Sequence, residues 1–330
     1  MITTKTKRVS IRDIANHAGV SVSLVSFVLN GKAKEHRVGE EISQRILRIA
    51  KELNYVPNMI AKGLRVGRSY TIGLAVPGLD DTMWSALSGL VIERAASHGY
   101  TVSIGLTGDS DSDKSDTVEQ MRNRGVDGII TIPNHGSRQE LERISAEGIP
   151  VVTLGRRFKD SDMASSCPDD YRAAHEATIG LIERGYRNIT AICPPTCLDN
   201  MADRADGYRA AMTGHGLVPE IVTADSADSL DKLPEALLFT STPLCLNAIR
   251  EFQRQGIAIG DDVAVMSFGY NESFDLVPVP ISYIEPPISD MADAATEMLL
   301  KAINERSGLH ADHSRLFPYR INWRDSTPYR

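Results

Sequence analysis

From Tyr70 onward, short apolar runs alternate with amphipathic stretches, and this alternation restricts the fold more than any other feature of the chain. The runs TIGLAVPG, TVSIGL, GVDGIITIPN, GIPVVTLG, YRNITAIC, GLVPEIVT, ALLFTS and DDVAVMSFG have the length and β-branched content of buried strands. Between them, helices are predicted over about 83–98, 114–124, 137–147, 171–184, 203–215 and 243–255. Strands separated by helices of this length form βαβ units around parallel, doubly wound sheets. The run count fits either one large sheet or two lobes. Such sheets bind ligands outside the carboxyl ends of their strands, and in two lobes those ends face each other across a cleft.

The first 69 residues do not share the alternation. Ser10 and Asp13 stand at capping-box spacing, and Ile14, Ala15 and Ala18 continue one apolar side of a short helix. Gly19 falls where a tight turn needs positive φ, and Ser21 opens a second helix whose Leu24, Val25 and Val28 point inward. Two short helices around a glycine turn are the signature of a helix-turn-helix, and equally of an ordinary αα-hairpin. A third helix is predicted over 40–53, with Ile42, Ile46, Ile49, Ala50 and Leu53 on one stripe, Asn54 as its left-handed cap and Pro57 as its stop. Asn58 then opens a stretch of about two turns containing Gly63, too short to be stable unless something packs on it.

Charge favours the DNA-binding form. Residues 1–68 carry 13 Lys and Arg against 5 Asp and Glu, while the remainder carries 23 against 38. A basic head on an acidic body is the footprint of a nucleic-acid-binding module joined to a domain with another task. No segment approaches the ~18 uncharged apolar residues of a membrane span, and the N-terminus lacks the apolar core of an export signal, so a cytoplasmic chain is expected. Four scattered cysteines, Cys167, Cys193, Cys197 and Cys245, read as buried free thiols. The body has no G-x-G-x-x-G after a strand, no Walker loop and no G-x-S-x-G, and the chain's eight His are scattered without metal-ligand spacing. No catalytic residue, metal or cofactor is therefore expected. The acidic cluster Asp109, Asp111, Asp113 and Asp116 reads as the solvated entry to a helix.

In this order the parts resemble the LacI family of bacterial transcription regulators, over nearly the whole chain. The resemblance is carried by VSIRDIANHAGVSVSLVSFVLN at 9–30, ELNYVPN at 52–58, Ala61 and Leu64 after it, and IGLAVPGL, GYTV, VDGIIT and GIPVV in the body. It is also carried by Arg204 to Tyr208 and by the terminal R-D-S-T at 324–327. It implies a helix-turn-helix domain at 1–57, a hinge at 58–69 and a periplasmic-binding-protein-like body at 70–330. The first lobe would take about 70–160 and 288–317, the second about 161–287 and 318–330.

The resemblance further implies a homodimer on a pseudopalindromic double-stranded operator. Ser10, Ser21, Val22, Ser23, Ser26, Phe27 and Asn30 would lie on or near the DNA face. Ala61, Leu64 and Arg65 would sit in the minor groove, with Leu64 as the wedge. Phe27 stands where the best-known members have arginine; it exchanges a bidentate contact to guanine for an apolar one, for example to a thymine methyl. A small-molecule effector would lie among Asp81, Trp84, Gly155, Arg156, Arg204, Ser241 and Tyr270, with Arg204 forking two hydroxyls or a carboxylate. Gly155 and Gly269 replace aspartates that hold sugar hydroxyls, and Arg156, Arg157 and Arg204 remain, a balance that leans toward an anionic or modified effector. The competing readings are the same fold controlled by a partner protein, and a solute-binding protein, which would need an export signal and no basic head.

Overall fold

The structure is a computed structural model describing residues 9–56, 67–108, 116–195, 198–223 and 232–330. It divides into two compact units, Met1–Ser69 and Tyr70–Arg330. In the first, α1 (Ile11–Ala18), α2 (Val22–Leu29) and α3 (Glu40–Glu52) enclose a small core of Ile14, Ala15, Val25, Val28, Ile46 and Ala50. The capping box forms as spaced: Ser10 N donates to Asp13 Oδ2 at 2.8 Å, and Asp13 N donates back to Ser10 Oγ at 3.3 Å. Gly19 ends α1 with φ 63°, and Ser21 Oγ caps α2 by accepting from Leu24 N. Asn54 takes the left-handed conformation after α3, with φ 49°.

The second unit holds two six-stranded sheets. The chain first lays down β1 (Thr71–Val76), α4 (Thr82–Ser97), β2 (Thr101–Leu106), α5 (Thr117–Asn123), β3 (Gly128–Thr131), α6 (Arg138–Ala146), β4 (Val151–Leu154) and β5 (Ala164–Pro168). It crosses over to α7 (Asp170–Glu183), β6 (Ile189–Cys193), α8 (Asp199–Gly214), β7 (Glu220–Thr223), β8 (Ala236–Phe239), α9 (Thr242–Gln255), β9 (Ala264–Phe268) and β10 (Ser282–Glu285). It then returns through α10 (Ile288–Glu305) and β11 (Arg315–Phe317) to the first sheet, and ends with β12 (Arg320–Asn322) in the second. Strand orders are β2-β1-β3-β4-β5-β11 and β7-β6-β8-β9-β10-β12, the same winding twice. Apolar cores cover both faces of each sheet, as a doubly wound fold requires.

The sequence reading left β10, α10 and β11 unassigned, and three further features depart from it. β5 was expected in the second lobe but pairs with β4 in the first, so the crossover comes at Asp169 and not near 160. Its sequence, ASSCP, hides the strand because two of its buried residues are serines; the Ser166 hydroxyl donates to the Met291 carbonyl at 2.8 Å, which lets it pass inside. β12 runs antiparallel to β10, so the second sheet is not wholly parallel. Finally, α8 starts at Asp199, four residues before the apolar pattern becomes visible. Among the described residues no helix is long and apolar enough to cross a membrane. Cys167, Cys193 and Cys245 are buried free thiols, and Cys197 lies outside the described residues.

Candidate nucleic-acid interface and inter-lobe cleft

In the head, α2 buries Val25 and Val28 and turns Ser21, Val22 and Ser23 outward, Val22 being 46% exposed. Asn30 is occupied locally, its Nδ2 donating to the Ser26 carbonyl at 2.6 Å and hydroxyl at 3.2 Å, and so tying down the helix end. Ser10 is likewise engaged in the cap of α1. Phe27 is half-buried, and one face of its ring is covered by His36, with centroids 3.5 Å apart. The cations Arg12, Lys34 and Arg37 are exposed on the same small unit. Ala61, Leu64 and Arg65 lie outside the described residues.

In the body, every residue expected at the cleft follows the carboxyl end of a parallel strand. Asp81, after β1, caps α4 by accepting from the amides of Met83 and Trp84 at 2.8 and 3.3 Å. Trp84 is core, 7% exposed, with the Arg156 guanidinium 5.0 Å from its ring centroid. Gly155, after β4, has φ 73°, and a Cβ there would stand 2.9 Å from the Trp84 ring. A side chain at 155 would therefore collide with the tryptophan at 84. Gly269, after β9, repeats the pattern: φ is 80° and a Cβ would lie 2.4 Å from the Thr242 hydroxyl, which donates to the Phe268 carbonyl. Ser241 precedes α9 without a side-chain cap bond. Tyr270 donates to Asp275 at 2.5 Å, and that hydrogen bond heads the causes that push its phenol up to about 12.

Arg204 is engaged by protein groups on three sides. Its Nε donates to Asp170 Oδ1 at 2.6 Å, its Nη2 to the Tyr319 hydroxyl at 3.2 Å, and its Nη1 to the Thr240 carbonyl, with the Phe268 ring 4.3 Å beneath. A guanidinium this buried needs a counter-ion, and the fold supplies one in Asp170, whose own carboxyl burial pushes up. Tyr319 also donates to Asp170, at 2.8 Å. Arg204 therefore joins α8 to two of the three chain crossovers, at Asp170 and Tyr319, and so positions the helix.

The neighbouring residue reaches across to the first lobe. Asp203, 8% exposed, takes Lys159 Nζ at 2.5 Å and Arg157 Nη2 at 3.4 Å, both from the segment leaving β4 in the first lobe. Asp199, one turn earlier, accepts the Lys159 backbone N–H at 2.9 Å. The hydrogen bond to Asp203, foremost among its causes, pushes the Lys159 ammonium up. These inter-lobe contacts were missed in the sequence, although Asp199 and Asp203 share a face at i, i+4 and the basic run RRFK follows β4.

Comparison with known proteins agrees with this geometry. Residues 10–58 match the family described as bacterial regulatory proteins, lacI family. Residues 69–243 match periplasmic binding proteins and sugar binding domain of LacI family, and 180–327 match a periplasmic binding protein-like domain. Catabolite control protein A of Staphylococcus epidermidis is 27% identical, covering 97% of this chain and 99% of its own. The ribose operon repressor of Halalkalibacterium halodurans is 28% identical, covering 90% and 91%. The lac repressor dimer bound to operator and the anti-inducer ONPF shares the fold with a TM-score of 0.85 at 21% identity, covering 98% of this chain and all of that one.

Proposed function

Because this chain belongs to the bacterial LacI family of regulatory proteins, we propose that it is a homodimeric repressor whose grip on a pseudopalindromic operator is set by a small-molecule effector in the inter-lobe cleft. Two heads on one dimer match the two-fold symmetry of such a site. Exposed Ile92 on α4 and Ile104 and Leu106 on the edge strand β2 are apolar surface that a second copy would cover. Leu64 and Arg65, assigned by the resemblance, act as wedge and minor-groove contact in the hinge segment. An effector that favours one lobe arrangement then changes operator affinity through that hinge.

The observation that carries this reading is the charged bridge from Lys159 and Arg157 to Asp203, which makes the lobe arrangement sensitive to a ligand between them. Its chemistry also selects the ligand class. An anionic carbohydrate, a sugar acid or sugar phosphate, competes with Asp203 for the two cations, whereas a neutral sugar leaves them paired. The glycines at 155 and 269 remove the side chains that would hold paired hydroxyls. A thermal-shift panel of neutral sugars, sugar acids and sugar phosphates tests this. Stabilisation by an anionic member supports the reading, and stabilisation by neutral sugars alone rejects the anionic class.

A further inference from the structure

Phe27 puts a ring with no hydrogen-bonding group near the carboxyl-terminal end of α2, and the structure sets an imidazole beside it. The rings of Phe27 and His36 lie face to face, 3.5 Å between centroids and 12° from parallel. The segment carrying His36 is folded onto the end of α2 by its own backbone. Lys32 N donates to the Phe27 carbonyl at 2.8 Å, His36 N to Lys32 at 3.2 Å and Val38 N to Ala33 at 2.8 Å, with Arg37 at φ 53°. His36 is exposed where Phe27 is half-buried, so the imidazole is the outer ring. Lys34 and Arg37 are exposed on either side of it and draw this segment toward phosphates. The segment's acid, Glu35, faces Lys32 at 3.6 Å.

A phenyl ring offers a base only apolar contact, whereas an imidazole carries an in-plane N–H donor. Guanine's major-groove edge presents two acceptors, N7 and O6. We propose that His36, held flat on Phe27, donates to a guanine in each operator half-site, and that Phe27 is its positioning platform and not itself the reader of a thymine methyl. The inference rests on the proposed operator binding. It enlarges the reading surface from one helix to a helix plus the turn behind it.

The test starts with selection of a consensus from a randomised duplex library by the full-length chain. Binding is then measured on that consensus with 7-deazaguanine replacing each guanine singly, and with deoxyuridine replacing each thymidine. Wild type, His36→Phe and His36→Gln are compared; the phenylalanine variant keeps a stacking ring, and the melting temperature of each variant checks folding. One 7-deazaguanine position per half-site should cost wild type about 10-fold and cost His36→Phe nothing. His36→Phe should bind the unmodified consensus about 10-fold more weakly and lose its preference at that base pair, with the salt dependence unchanged. A His36→Phe variant that keeps both consensus and affinity would overturn the assignment. So would a loss spread equally over all sequences, which marks a purely structural turn, or a deoxyuridine penalty that disappears in Phe27→Ala. A wild-type chain that selects no symmetric sequence would overturn the operator reading itself, and this inference with it.

Discussion

Replacing Asp203 with asparagine should loosen the junction between the lobes without unfolding either. Asp203 is nearly buried on α8, and it takes Lys159 Nζ on Oδ1 at 2.5 Å and Arg157 Nη2 on Oδ2 at 3.4 Å. The two cations are 37% and 38% exposed, so water screens them, and each such pair contributes on the order of 0.2–1 kcal/mol. The enclosed carboxylate places the sum toward the top of that range, about 1–2 kcal/mol, or roughly 5- to 30-fold in the equilibrium between joined and separated lobes. Arg204 keeps its partners Asp170, Thr240 and Tyr319, so α8 stays in place. Native-state hydrogen exchange is the assay. Amides of 155–159 and 199–204 should exchange faster by about that factor, with β1 and β6 unchanged. Unchanged exchange at the junction would refute the reasoning, and so would acceleration spread uniformly through both cores. In a cycle with Lys159→Met the double variant should lose less than the sum of the single losses, because the two changes remove the same contact.

Three other outcomes follow from local geometry. Gly207→Ala would bring a Cβ within 2.1 Å of the Tyr171 carbonyl oxygen and force α7 and α8 apart, costing about 1–3 kcal/mol in a thermal melt. Gly214→Ala on the same helix meets nothing within 4 Å and is the control. Glu235 accepts the amides of Arg187 and Asn188 at 2.6 and 3.0 Å, which hold its carboxyl below the ordinary value of 4.5. Its stabilising contribution is therefore complete above that value and fades as pH falls through the lower folded-state value; Glu235→Gln should flatten the melting temperature over that acid range. Cys167 and Cys245, whose thiols burial pushes up to about 12, should resist iodoacetamide in the native protein at pH 8 and react once it is denatured, as read by peptide mapping.

The parts legible in the sequence are those whose signal is local. Ser10 with Asp13, Gly19, and Ser21 are single-residue requirements of caps and a turn, and they stand where their spacing puts them. Most strands read correctly, such as β1, β3, β4 and β8, are apolar runs buried on both faces, while the edge strands β2 and β7 were read from their aliphatic residues alone. β5 escaped because it is held by partners far away in the chain, the Ser166 hydroxyl donating to the Met291 carbonyl and the Ser165 backbone N–H to the Ser314 hydroxyl, which no window of sequence contains. Arg204 shows the same limit at the site. Its chemistry was right for gripping an anion, but the anion is Asp170, brought in by a crossover. Phe27 was read as a lone apolar contact because its partner, His36, belongs to a polar stretch that reads as an ordinary loop.

The central claim is that operator binding is linked to the cleft. The direct measurement is the affinity of the full-length chain for its selected duplex, with and without the carbohydrate that raises its melting temperature, together with the number of chains bound per duplex. The account predicts two chains on a symmetric site and an affinity changed by about 5- to 150-fold when that carbohydrate is present. The same affinity in both conditions, or one chain on an asymmetric site, would contradict it.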